Sequence, residues 1–569
     1  MKVKRKYFFF GCSIILFIGF SILFFIILKA YKISSNHSKS FIENGFRFSA
    51  SQIPEIEEYI SSEQKNIDIL HYIINIEVFP KRKIILGKTI INGIFKNSIP
   101  KNIELNFNDN FDISSLFLNG KLIEYIYEDD KLKLPVDINL KDSFSVEVNY
   151  SGRPNSLGFG SFSFDENKKM PVIYTLNEPI YASTWFPCND LPKDKVLADI
   201  IITCDSSLTA VSNGILKSVE LLKNKKTFHW KTNYPISTYL IYFSAAKYKT
   251  FSDDYVNKEN DSMKIEYYVF PEDLEKAKRD FSIHPKALNF FSQTFGEYPF
   301  INEKYGVAEF LWSFGAMENQ TITAIGKNFI SGSQFFTDML VHELAHQWWG
   351  NAVTLSNWKD IWLNEGFATY SEALYYENQS GVKSLQSTMK SFLTDFSGTT
   401  LYNPVNLFDR VIYNKGAWVL HMLRNEVGDD NFFNILRNYF ETYKYKNAST
   451  FDFIKIAENI TKKDLTDFFN QWVFSGSGII ELEYSYKPKG NNPNEILLNL
   501  SQIQKEYYEY HFNLDINFIF IDGTKELTTI KIEKRNNSFT FNFEKKIREI
   551  QFDPEGWLAC SFKQISKEN

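Results

Sequence analysis

A chain of 569 residues is too long for one hydrophobic core and calls for three or four domains. Its 44% hydrophobic and 23% charged residues are ordinary for a globular protein, so the aromatic content of 17% carries no function by itself. A net charge of −5 gives no reason to expect a nucleic-acid partner.

The N-terminus begins MKVKRK, and Tyr7 to Leu28 then carry no charge, a stretch long enough to cross a bilayer as a helix. Basic residues ahead of it outweigh Lys29 and Lys32 behind it. The positive-inside bias therefore keeps the N-terminus cytoplasmic and puts the rest of the chain outside. An uncleaved anchor at 7–28 fits better than a cleaved signal, whose apolar region would be shorter and end at a small-x-small site. Residues 29–65 are polar and read as a stalk or linker.

From 66 to 258 the pattern is that of strands. Tyr72, Ile74, Ile76 and Val78 alternate, as do Ile103, Leu105 and Phe107, with Gly, Asp and Asn turns between. From 259 to 475 the period becomes helical, and from 476 to 569 alternation returns. Phe512, Leu514, Ile516, Phe518 and Phe520 there precede an Asp522-Gly523 turn, the signature of a small β-sandwich. That final stretch shows no pattern of a helical array. Cys188, Cys204 and Cys560 lie outside the apolar N-terminal stretch. They are odd in number and lack metal-type spacing, so each is expected to be a free thiol.

The chemistry sits in DMLVHELAHQWWGNAVTLSNWKDIWLNE. Without Pro or Gly, Thr337 to Trp349 is expected to be helical, which places His342 and His346 one turn apart on one face. Two imidazoles so held can share a zinc ion, and Glu343 lies beside them as a candidate general base. Glu365 opens a second helix, in NEGFATYSEALYYE, and is the candidate third ligand. Three protein ligands plus one open position are what a catalytic zinc requires. The bland alternative, two structural histidines, fits poorly with an apolar helix and a downstream carboxylate. Glu372, seven residues after Glu365 on the same helical face, is either an acceptor supporting a ligand or an ordinary polar residue. Glu318 alone would read as a surface acid. One Tyr among 31, at Tyr413 just ahead of a helix, says nothing alone.

Together HELAHQWWG, WLNEGFATY, GAMEN and YNKGAWVLHML resemble the gluzincin zinc aminopeptidases, the family of aminopeptidase N and the leukotriene hydrolase. EPIYASTWFPCNDLP, AVSNG and ISTYLIYFSAAKY are similar to that family's N-terminal β domain, and DLTDFFNQWVFSGSG to the end of its catalytic domain. The resemblance implies a multidomain α+β fold. An N-terminal β-saddle domain would be followed by a thermolysin-like, mostly α catalytic domain and a small C-terminal β-sandwich, with the single transmembrane helix ahead of them. It implies one Zn2+ held by His342, His346 and Glu365, with Glu343 as general base and Tyr413 stabilising the oxyanion. Glu318 and Glu178 would bind the free α-amino group of a peptide, and Gly315 and Ala316 would pair with its backbone. Two departures stand out: Leu176 replaces a common Gln, and Ser183 a common Arg. The function this implies is a membrane-anchored aminopeptidase that removes single N-terminal residues. A zinc endopeptidase, a leukotriene-hydrolase-like bifunctional enzyme and a catalytically dead binding protein are the alternatives. The first lacks a reason for Glu318 and Glu178, and the last usually loses a ligand or the base.

Overall fold

The computed structural model describes residues 60–565 apart from 97, 137–141 and 490–491, so the apolar stretch 7–28 lies outside the described residues. Among the described residues no helix is long and apolar enough to cross a membrane. Residues 60–65, expected to belong to the linker, are instead folded. Ser61 caps a helical turn, Ser62–Lys65, and Gln64 is buried, donating to Asn106 Oδ1 at 2.6 Å.

Two main sheets and a three-stranded one, Asn102–Asn106, Lys131–Pro135 and Ile126–Glu128, form the N-terminal part. The larger has eight strands, with Ile67–Phe79 parallel to Leu197–Asp205 and antiparallel to Ile84–Phe95. The alternation seen in the sequence turns Tyr72, Ile74, Ile76 and Val78 inward, all buried. The smaller sheet has four strands: Phe162–Asn167, Met170–Thr175, Thr209–Ser212 and Phe243–Ala246. Trp185 and Phe186 join the two layers, since Tyr72 meets Phe186 edge-on at 5.6 Å and Phe243 meets Trp185 at 5.4 Å.

The mixed sheet that follows starts at Lys249, ahead of the boundary expected at 258. Its order runs Lys249–Val256, Ser262–Val269, Tyr305–Phe310, Thr323–Gly326 and, at the edge, Ala316–Met317. Helices complete this part. The expected helix over DLEKAKRDFSIHPKALNFFSQTFG is broken into Leu274–Asp280 and His284–Phe295, and Pro285 stands at the start of the second, where its missing N–H costs nothing. Helices Trp362–Ser380 and Arg410–Val427 cross where a Cβ on Gly366 would lie 2.8 Å from the Gly416 Cα, so only glycine permits that approach.

After Gly478 seven strands form two sheets, one of four and one of three, as the alternation predicts. Trp472 stacks on Tyr510 at 4.3 Å and His421 on Trp557 at 4.5 Å, fixing this sandwich to the helices. Cys188, Cys204 and Cys560 are free thiols.

Candidate active site

The helix carrying His342 and Glu343 is shorter than the sequence suggests. It spans Thr337–Ala345, with His346 as its C-cap, its N–H on the His342 carbonyl at 3.2 Å. The next turns are wide, with Asn351, Ala352 and Val353 N–H reaching back five residues to His346, Gln347 and Trp348. Gly350, at φ +120°, lets the chain reverse there. The capping position still keeps His346 in right-handed helical geometry, so the one-turn spacing of the two imidazoles survives.

Glu365 lies in the first turn of Trp362–Ser380. Its Oε2 stands 3.3 Å from His342 Nε2 and 3.4 Å from His346 Nε2, and the two Nε2 atoms are 3.0 Å apart. Ligand bonds of about 2.0–2.1 Å at tetrahedral angles separate donor atoms by roughly 3.3 Å, so the triad fits zinc in spacing and in donor type. The other ring nitrogens are committed elsewhere. His342 Nδ1 donates to Glu372 Oε1 at 2.8 Å and His346 Nδ1 to the Trp349 carbonyl at 2.9 Å. Each Nε2 therefore presents its lone pair toward Glu365. This decides the role that the sequence leaves open for Glu372.

Glu318 comes from the turn after the edge strand Ala316–Met317. Gln347 Nε2 and Asn351 Nδ2 donate to its carbonyl at 3.2 and 2.6 Å, and Thr321 N–H donates to Gln347 Oε1 at 2.9 Å. Sequence reasoning gave Gln347 and Asn351 no role, although both stand directly after the metal motif in QWWGN. Thr321 at φ +64° completes the bend. Among the described residues only one side of Ala316–Met317 is paired, to Thr323–Gly326, where the Gly315 carbonyl accepts from Gly326 N–H at 3.0 Å, so Ala316 presents its backbone groups along the free edge.

Glu178 arrives from the loop after Met170–Thr175. Asn177 pins that loop, donating to the Ile241 carbonyl at 2.5 Å and accepting from Trp185 Nε1 at 3.0 Å. The departures Leu176 and Ser183 are both buried; Ser183 N–H donates to Asp190 Oδ2 at 3.3 Å. Carboxylate oxygens of Glu178, Glu318 and Glu365 all lie within 4.8 Å of one another. Oε1 of Glu178, Oε1 of Glu318 and Oε2 of Glu343 are buried without a hydrogen-bond partner among the described residues. Burial, then the neighbouring carboxylates, raises Glu178 well above the usual range, and burial also raises Glu318. Burial pushes Glu343 up to about 8. For Glu365 burial acts the same way, but His346 and His342 outweigh it and hold the carboxyl at about 2. Buried acids this close together either take up protons or hold a cation between them.

Tyr413 is not ahead of a helix but inside its first turn, because Asp409 caps Arg410–Val427 by accepting from Val411 N–H at 2.8 Å. Its ring stacks on His342 with centroids 6.0 Å apart. Burial, and then the charges of Glu365, Glu178, Glu318 and Glu343, keep its phenol protonated far above neutral pH. His342, His346, Glu365, Glu178 and Glu318 are thus brought together, with Tyr413 against His342.

Two family models match the chain: Peptidase M1 N-terminal domain over residues 69–240 and Peptidase family M1 domain over residues 279–472. Probable aminopeptidase 2 of Sulfurisphaera tokodaii is 25% identical over 517 residues, 83% of this chain and 63% of that protein. Glutamyl aminopeptidase of Homo sapiens is 29% identical over 345 residues, 56% of this chain and 35% of that protein. The chain spans less than two thirds of the length of these relatives. Among solved structures, aminopeptidase A of Legionella pneumophila in complex with aspartic acid superposes with a TM-score of 0.76 at 19% identity, over 88% of this chain and 60% of that one. An M1 zinc metallopeptidase from Deinococcus radiodurans gives 0.63 at 23% identity, over 72% and 93%. These two establish the fold.

Proposed function

Because the chain belongs to peptidase family M1, we propose that it is a zinc-dependent aminopeptidase, removing one residue at a time from the amino end of peptides. His342, His346 and Glu365 would hold the zinc, which supplies Lewis-acid polarisation of water and of the scissile carbonyl. Glu343, adjoining the triad with an unpartnered oxygen, takes the proton of the attacking water and returns it to the departing amine. Tyr413, held protonated, donates to the oxygen that becomes negative. The free edge at Ala316, next to Gly315, pairs with the substrate backbone and aligns it.

The observation that carries the exopeptidase reading is the convergence of Glu178 and Glu318 with Glu365. Two buried carboxylates with free oxygens suit one α-ammonium group, and an endopeptidase would leave them without a cation. The test is a panel of aminoacyl fluorogenic amides, with and without a chelator. Hydrolysis that disappears with the metal and returns with zinc supports the reading; hydrolysis indifferent to the chelator overturns it.

The apolar stretch 7–28 and its basic flank support a further part of the proposal: an anchor with the catalytic part on the outer side. Protease shaving of intact cells then removes the catalytic part, and complete protection refutes this topology.

A further inference from the structure

At one end of the eight-stranded sheet two turns flank the strand Leu197–Asp205. The strand Ile215–Leu222 turns through Lys223 and Asn224 into Lys225–Lys231, and the strand Ile67–Phe79 turns through Pro80 to Lys83 into Ile84–Phe95. Register brings them together, since Glu77 pairs with Thr203 and Asp205 with Lys225. Lys225 forms an ion pair with Glu77 and lies 5.1 Å over the Phe79 ring.

The side chains at this end have an unusual composition. Leu221 and Leu222 are 65% and 74% exposed, next to each other on a strand that bounds the sheet. The same end of the sheet carries Lys81, Arg82, Lys83, Lys223, Lys225 and Lys226, all exposed but the half-buried Lys226. The carboxylates here are Glu77, Asp205, Glu220 and, lining one cavity with Lys83, Asp165, so cations still outnumber them in a chain whose net charge is −5. Edge strands do carry lysines to prevent pairing with other strands, and Lys217 and Glu220 on this strand meet that need. Neither explains two leucines at the tip. Solvent-facing leucines ringed by cations are the pattern of a surface that sits on an acidic bilayer, with the apolar tips below the headgroups and the amines among the phosphates.

We propose that these paired turns, 79–84 and 221–226, dock on an anionic phospholipid surface. The partner is chosen by charge as well as by apolarity. A neutral bilayer would take the leucines but offer no net negative charge to the five cations other than Lys225, and an acidic soluble protein would leave the leucines unburied. The surface is independent of the peptidase reading and of any N-terminal anchor, because it lies on a folded sheet far in sequence from 7–28. Docking there would fix the orientation of the cleft relative to the membrane rather than merely tether it.

An anchor would hold the full chain at any bilayer, so the readout must be local to the turns. Hydrogen–deuterium exchange is measured on the full chain in nanodiscs of phosphatidylcholine alone and of phosphatidylcholine with phosphatidylglycerol. Exchange across 79–84 and 221–226 is expected to slow by about tenfold or more in the acidic nanodiscs only. The double variant Leu221→Ser, Leu222→Ser and the double variant Lys81→Glu, Lys223→Glu should each lose that protection while exchange elsewhere in the chain is unchanged. Equal exchange in the two lipids overturns the proposal. So does protection that appears without lipid as protein concentration rises, which would assign the edge to a second copy of the chain.

Discussion

Replacing Glu372 tests how the metal ligands are aimed. His342 donates through Nδ1 to Glu372 Oε1 at 2.8 Å, and both side chains are largely buried. That bond fixes the ring and keeps Nε2 as the ligating nitrogen. Glu372→Leu removes the acceptor, leaving His342 free to rotate or to protonate Nε2; a hydrogen bond to a charged group is worth about 1.5–3 kcal/mol. The expected loss of zinc affinity is therefore about 10–100-fold. Glu372→Gln keeps an acceptor oxygen but not the charge, and should fall between, at about tenfold. Zinc affinity is measured by competition with a chromophoric chelator, alongside thermal unfolding of the metal-free protein to exclude a folding defect. If Glu372→Leu binds zinc as tightly as the parent, the contact does not orient the ligand and the reasoning fails.

Glu343→Gln should retain zinc while lowering kcat by about 10²–10⁴-fold, the usual scale for losing a general base; loss of zinc along with activity would place Glu343 among the ligands instead. Tyr413→Phe should lower kcat by about 10²-fold with little change in KM, because its donor matters only as the oxyanion forms, and steady-state kinetics reads the split. Acid stability follows from His284, buried among Tyr267, Phe281 and Tyr305 and held by burial at about 3. Its value lies below the unfolded one of about 6.5, so between these limits the unfolded chain binds the extra proton, and stability falls as pH drops below 6.5 while staying flat above. At pH 5 the cost is about 2 kcal/mol, and His284→Phe should lose that much less between pH 7.5 and pH 5 in denaturant titrations; parallel pH profiles for the two proteins would refute it.

What the sequence reveals here depends on how local the signal is. The His342–His346 spacing is set by one helical turn, and it survives even though the helix stops at Ala345, before the Trp349 that the absence of Pro and Gly suggests. What ends it is the close turn at Gly350 and the packing of Gln347 and Asn351 beneath Glu318, a contact between segments that no periodicity records. Alternation correctly gives Tyr72, Ile74, Ile76 and Val78 as one inward face, because a strand's period of two is also local. Glu178 is different. Its loop is placed by Asn177 on Ile241 and by Trp185, far along the chain, so only resemblance could nominate it. Tyr413 was nominated the same way and set one turn too early relative to its helix, because the capping role of Asp409 went unread. Glu372 could be resolved only once the Nδ1 contact was visible.

The central claim is that an ammonium-binding acid pair beside a zinc triad makes this chain an exopeptidase. A time course on a defined decapeptide, free or acetylated at its N-terminus and followed by mass spectrometry, tests it most directly. A ladder shortened by one residue at a time from the amino end, with the acetylated peptide intact, is the predicted result. Internal cleavage products, or equal turnover of the two peptides, would contradict it.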